Sequence, residues 1–222
     1  MLTPTNVIPS TSVNGISSTT TWIDVAEDPR SLIDFDAKAK ALKILVAGEI
    51  RKKLNELPIN LAKILTENYI LSGSSIASIY HGEQAKDYDL WVDIATEATA
   101  TSSVKRYIAK NMAFVAEYQD KYGDLQIPDE KRGQKVITDR AITLTNGIQI
   151  ITMGSFSELR RNFDFVHCLP YYVLYTDKFF ISPLQMEVIS KKKLVQNIYG
   201  QQATAARIMK FTERGWGWSK VI

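Results

Sequence analysis

Cysteine is the scarcest structural resource in this chain. Cys168 stands alone among 222 residues, so no internal disulfide can form and a disulfide-built secreted module is excluded. With two histidines beside it, the chain also lacks the ligands for a structural zinc site. No apolar run reaches the roughly 18 residues of a spanning helix, so no membrane association is expected. No basic stretch followed by an apolar one opens the chain, so no signal peptide is expected either. The net charge of +3 is too small to argue by itself for nucleic acid or an anionic membrane. What is present, 45% hydrophobic and 23% charged residues, is the mix of a globular, cytoplasmic protein. A chain of this length buries roughly 70% of its unfolded surface and folds without metal or disulfide.

The chain divides unevenly. Residues 1–22 hold ten Ser or Thr, two Pro and no charge, too little apolar surface to fold alone. They are expected to form an extended arm laid on the domain or on a protein partner. Residues 23–222 are expected to form one α+β domain, a mixed, largely antiparallel sheet flanked by helices, with a helical C-terminal section. Ser31 is a plausible N-cap for a long helix in which Leu42, Leu45, Val46, Ile50 and Leu54 recur at helical spacing. Pro58 ends it, and a shorter helix carries Leu61, Ile64 and Leu65. Tyr69 to Leu71 reads as a strand, Ser72 to Ser75 as a turn, Ile76 to His81 as a short helix closed by Gly82, and Asp87 to Val92 as a strand. Residues 101–118 read as helix, 123–133 as a loop, and 136–138 as strand-like. Asn146-Gly147 between two alternating runs, Ala141 to Thr145 and Ile148 to Thr152, is a hairpin signal. A short helix over 155–162 and strands around 164–168, 171–175 and 179–181 follow, and Pro183 opens the helical section.

The stretch from Leu71 to Val92 carries the chemistry. Asp87 and Asp89, at i and i+2 on a strand, point the same way. Carboxylates so close raise one another's pKa unless a cation sits between them, and magnesium held by carboxylates and substrate phosphates is the usual resolution. Gly73-Ser74-Ser75, between a strand and a helix, lets backbone N–H groups and hydroxyls approach a phosphate. A phosphate cradle beside paired metal carboxylates suits phosphoryl or nucleotidyl transfer. Each half alone is ordinary, a turn and a polar strand edge; their order and spacing make the pattern.

In these motifs the chain resembles the DNA polymerase β-like nucleotidyltransferase superfamily, with a head similar to tRNA CCA-adding enzymes and bacterial poly(A) polymerases. The matching residues are Gly73-Ser74, Ile79-Tyr80-His81-Gly82 and Lys86-Asp87-Tyr88-Asp89. Ile148 to Ile151, Asn162 to Val166 and the ending from Arg207 to Gly215 resemble small nucleotidyltransferase-like proteins of phages and large DNA viruses. The resemblance implies a metal-dependent enzyme moving a nucleoside monophosphate from NTP to a nucleic-acid or protein acceptor, in the host cytoplasm if phage-encoded. It implies Mg²⁺ or Mn²⁺ on Asp87 and Asp89, and phosphate contacts from Gly73, Ser74, Ser75, Arg207 and Lys210. The sequence departs from the family where the third carboxylate should stand, since Gln149 is there. A neutral amide supplies neither the charge for the metal nor a base for an attacking hydroxyl. Asp164 is one replacement and Asp139 another. Ala77-Ser78 stands where CCA-adding enzymes carry an Arg-Asp pair, and the chain offers no room for their long tRNA-binding body. The alternative reading is therefore a non-catalytic phage virion or assembly protein of the same fold, anchored by its N-terminal arm.

The remaining polar residues read more plainly. His81 is expected to cap or face solvent. His167 and Cys168, on a supposed strand beside Phe165, are expected to pack in the core, because neighbours on a strand face opposite sides and make a poor catalytic pair. Trp216 and Trp218 read as a C-terminal anchor. Arg207, Lys210 and Arg214 share one face of a supposed helix and would meet a triphosphate if it packs over the Asp87/Asp89 edge.

Overall fold

The computed structural model describes residues 23–24, 33–92, 100, 102–104, 106, 115–117, 141–144, 146–151, 156 and 162–218. The arm over 1–22, the loop over 123–133, the strand over 136–138, Asp139 and nearly all of the helix expected over 155–162 lie outside the described residues.

The long helix is α1 (Ile33–Asn55). Ala39, Leu42, Val46, Ile50 and Leu54 line its buried side. Steps of four residues overshoot a turn by about 40°, so the apolar stripe drifts one way round the helix. Leu45 lies on the trailing side of that drift and is 50% exposed rather than in the core as its spacing suggested. Pro58 precedes α2 (Ile59–Asn68), which buries Leu61 and Leu65. The chain then runs directly into β2 (Tyr69–Ser72), turns at Gly73 into α3 (Ser74–Tyr80), and enters β3 (Tyr88–Val92). Gly82, at φ +64°, receives the end of α3 in the left-handed conformation that glycine tolerates.

With β1 at Ile23–Asp24, the main sheet has the order β1-β8-β7-β2-β3-β6-β5-β4 among the described residues. Here β4 is Val115–Glu117, β5 Ala141–Leu144, β6 Ile148–Ile151, β7 Tyr171–Val173 and β8 Lys178–Ile181. Neighbours run antiparallel except β3 and β6, which are parallel, so the sheet is mixed and largely antiparallel, in an α+β fold. The hairpin at Asn146-Gly147 joins β5 to β6, with Gly147 at φ +87°. Strand β4 corrects the helical reading of residues 101–118 at its C-terminal end, for Val115 pairs with Leu144 there. Pairing to a strand remote in sequence overrides local helix preference.

Alternation along β3 sends Tyr88, Leu90 and Val92 into the core shared with α1 and α2. Trp91 joins Ile70, Ile151 and Val173 on the opposite face. Asp89 shares that opposite face by the same alternation.

The strand expected over 164–168 is not there. The Asp164 carboxylate accepts the Phe165 N–H at 3.0 Å, and Val166–Cys168 curls into a 3₁₀ turn. A short acidic side chain bonding its own neighbour's backbone competes with a sheet ladder in this way. Phe165 keeps one isolated bridge, to Gln196. His167 is nonetheless fully buried, with ring centroids 4.2 Å from Trp216 and 4.5 Å from Phe211. Burial pushes its imidazole well below the usual value, so it packs as a neutral ring.

The C-terminal section is shorter in helix than expected: α4 (Pro183–Ser190), β9 (Lys193–Leu194), α5 (Ala205–Thr212) and β10 (Gly217–Trp218), with β9 and β10 forming a small parallel pair. Trp216 is buried as an anchor, while Trp218 is 56% exposed. No helix among the described residues is long and apolar enough to cross a membrane.

Candidate active site at the carboxylate strand

The parallel pairing of β3 with β6 sets Asp89 beside Gln149, residue against residue. Asp87 lies just outside the strand, one residue before its start, and is partly exposed. Gln149 is buried, and its amide N–H₂ donates to Thr143 Oγ1 at 3.2 Å across the hairpin. The amide therefore occupies the sheet position next to the carboxylate strand.

Gly73 follows β2 and lies against Asp89. A Cβ built there would stand 2.8 Å from Asp89 Oδ2, and the backbone, at φ +105°, already demands glycine. The missing side chain lets the Asp89 carboxylate lie against the Gly73 backbone. The Gly73 amide is committed elsewhere, donating to the Cys168 carbonyl at 3.2 Å. Of the three supposed cradle residues, Ser74 and Ser75 open α3, where first-turn amides have no partner within the helix. The Ser75 hydroxyl is buried and has no hydrogen-bond partner among the described residues.

Helix α5 brings its basic residues to this end of the sheet. Thr204 caps it, accepting the Arg207 N–H at 3.3 Å. The Arg207 guanidinium grips Asp164 with two hydrogen bonds, from Nε to Oδ2 and from Nη2 to Oδ1. Burial works against its charge, but the Asp164 hydrogen bonds and the nearby carboxylates of Asp164 and Asp89 outweigh it and hold Arg207 cationic. Lys210 behaves in the opposite sense. Burial and repulsion from Arg207 pull its ammonium below the usual value, and Asp87 offsets this in part. Among the described residues no carboxylate forms a salt bridge with Lys210, although the Asp87 charge favours its ammonium.

Arg214 falls beyond the end of α5 and departs from the shared face that spacing suggested. It donates to Ser78 Oγ at 2.7 Å and to Glu83 Oε2 at 2.5 Å, while Lys192 takes the other Glu83 oxygen at 2.5 Å. Burial alone would raise the Glu83 carboxyl, but these hydrogen bonds win and hold it below the usual range. Glu83 thus ties the end of α3 to the C-terminal section, a role unread in the sequence because 131 residues separate it from Arg214. His81 does the same more modestly, its Nε2 lying 2.8 Å from the Ile189 carbonyl.

Among the described residues no three His, Cys, Asp or Glu side chains group as a metal cage. Magnesium does not require one: it is commonly held by one or two carboxylates together with substrate phosphates. Asp87 and Asp89, two residues apart at the start of β3, bring hard oxygen donors of the kind that ion takes.

Among solved structures, the chain is similar to a CCA-adding enzyme in apo form, at 13% identity and a TM-score of 0.38, over 65% of this chain and 35% of that one. It is also similar to the Thermotoga maritima CCA-adding enzyme complexed with tRNA, at 11% identity and a TM-score of 0.39, over 75% of this chain and 45% of that one. The chain thus spans less than half the length of either enzyme. Comparison with curated proteins finds no match. Residues 38–192, more than half of the chain, match the family described as Gabija anti-defense 2 family protein, and the chain belongs to that family.

Proposed function

We propose that this protein is a metal-dependent nucleotidyltransferase that moves a nucleoside monophosphate from NTP to an acceptor, and that the transfer serves the anti-defense role its family name denotes. The supporting observation is the convergence at one end of β3: Asp89 against Gly73, Asp87 just before the strand, and Lys210 close enough to feel the Asp87 charge. Magnesium or manganese held by Asp87 and Asp89 would neutralise charge developing on the triphosphate. Arg207 and Lys210 would bind phosphate oxygens, and the turn at Ser74 and Ser75 would add amide and hydroxyl donors. Asp164, proposed as the third carboxylate, holds the Arg207 fork and so acts first by positioning it. With Gln149 neutral, the proton of an acceptor hydroxyl falls to the Asp87/Asp89 pair.

A second reading, a non-catalytic virion or assembly protein of the same fold, is favoured by one observation, the amide of Gln149 in register with Asp89. Label from α-labelled NTP, followed into the macromolecules of a cell lysate, separates the two. The enzyme reading expects metal-dependent incorporation that Asp87→Asn with Asp89→Asn lowers by at least about 100-fold. Wild-type protein with no metal-dependent turnover would leave the non-catalytic reading standing.

A further inference from the structure

A cavity of about 600 Å³, partly open to solvent, lies at the same end of β3 but against α1. Its walls come from the second half of α1, the loop before β3, and the β5–β6 turn. The size suits a small ligand, in the range of roughly 300–1,000 Å³. The charged lining excludes an apolar one.

Part of the lining is already partnered. Glu49 accepts the Tyr88 hydroxyl at 2.8 Å, and Glu56 pairs with Lys53 at 3.5 Å. Burial and that hydrogen bond to Glu49 push the Tyr88 hydroxyl up, so it stays a donor. Asn146 is spent as well, donating to the Lys53 carbonyl at 2.8 Å and accepting the Ile148 N–H at 3.2 Å. Lys52 and Lys86 are exposed and have no carboxylate partner among the described residues. Lys52, Lys53 and Lys86 against Glu49 and Glu56 leave the lining with one positive charge in excess, which a bound anion would balance. Lys86 adjoins Asp87 in the chain, and its charge also reaches Lys210. The cavity therefore adjoins the carboxylate site through residues 86 and 87.

We propose that this cavity binds a phosphate group of the acceptor, carried by a nucleic-acid strand or by a free nucleotide, and holds it beside Asp87. The inference rests on the transferase reading for its purpose but not for its test. Fluorescence anisotropy of a fluorescein-labelled single-stranded RNA 12-mer and of a fluorescent AMP is measured without metal at several salt concentrations. Lys52→Ala with Lys86→Ala should weaken the cognate probe at least 10-fold. For the 12-mer, the slope of log affinity against log salt should also become shallower by roughly 1.4, about 0.7 for each single-strand phosphate that the variant no longer neutralises. Loss confined to the 12-mer assigns a strand, and loss confined to AMP a free nucleotide. Lys63→Ala with Lys191→Ala removes the same charge from exposed surface elsewhere and should change affinity less than 2-fold. Unchanged affinity for both probes in the cavity variant, or an equal loss in this control, overturns the proposal. The two readings can fail separately: turnover lost in Asp87→Asn/Asp89→Asn with normal probe binding by the cavity variant keeps the enzyme and discards the cavity. Cavity-dependent binding without turnover does the reverse.

Discussion

At Gly73 the backbone takes φ +105° and ψ −168°, a region open essentially to glycine, and Asp89 fills the space where a side chain would go. Gly73→Ala should therefore cost about 1–3 kcal/mol of backbone strain and push the Asp89 carboxylate aside. Urea denaturation checks the first effect and NTP turnover the second. Gly82→Ala is the comparison. At φ +64° it meets nothing within 4 Å, so it should cost about 1–2 kcal/mol and leave turnover intact. Equal loss of turnover in both variants would mean that the contact with Asp89 has no special part. These glycines and the Asp-x-Asp pair were legible in the sequence because their chemistry is local, within some 20 residues. The Arg207–Asp164 grip was not: both residues were singled out, but 43 positions apart nothing local paired them with each other.

Among elements, α4 begins with a reciprocal cap: Ser182 Oγ accepts the Gln185 N–H at 3.2 Å, and Gln185 Oε1 accepts the Ser182 N–H at 2.9 Å. Pro183 at the first helical position leaves no further amide there to satisfy. Ser182→Ala removes one acceptor from a buried helix start and should cost about 1–2 kcal/mol, read as a lower urea midpoint with an unchanged slope. The signature Ser-Pro-Leu-Gln was present in the sequence, although Pro183 alone drew notice. The hairpin at Asn146-Gly147 was fully legible, because turn chemistry and alternation agree there. The run from Asp164 to Cys168 misled for the converse reason: its apolar residues suit a strand, while one Asx hydrogen bond diverts the backbone. Strand β4 was hidden because its pairing partner lies elsewhere in the chain.

Over the whole molecule, the α+β class followed from the sequence, and the central position of β3 beside β6 agrees with the order of motifs and hairpin. Buried charge then sets how stability answers to acid. His167 titrates below its ordinary value of 6.5 in the folded state, because burial penalises the imidazolium, with Arg207 and Arg214 adding repulsion. The unfolded chain thus binds a proton that the folded chain refuses, and stability is lost as pH falls from 6.5 toward the folded value. The slope should approach about 1.4 kcal/mol per pH unit, and His167→Leu should flatten it. Below about 4.5 a second loss begins, as Glu83 and Glu187, held below that value by lysine and arginine partners, take up protons. Urea titrations from pH 7 to pH 4 read both phases.

The central claim is that Asp87 and Asp89 together hold a divalent ion. Manganese titration followed by electron paramagnetic resonance, with a non-hydrolysable NTP present, tests it most directly. The account predicts manganese bound by the wild type in a nucleotide-dependent way, and binding lost in Asp87→Asn/Asp89→Asn while circular dichroism stays unchanged. Manganese binding of equal affinity in that folded double variant would contradict it.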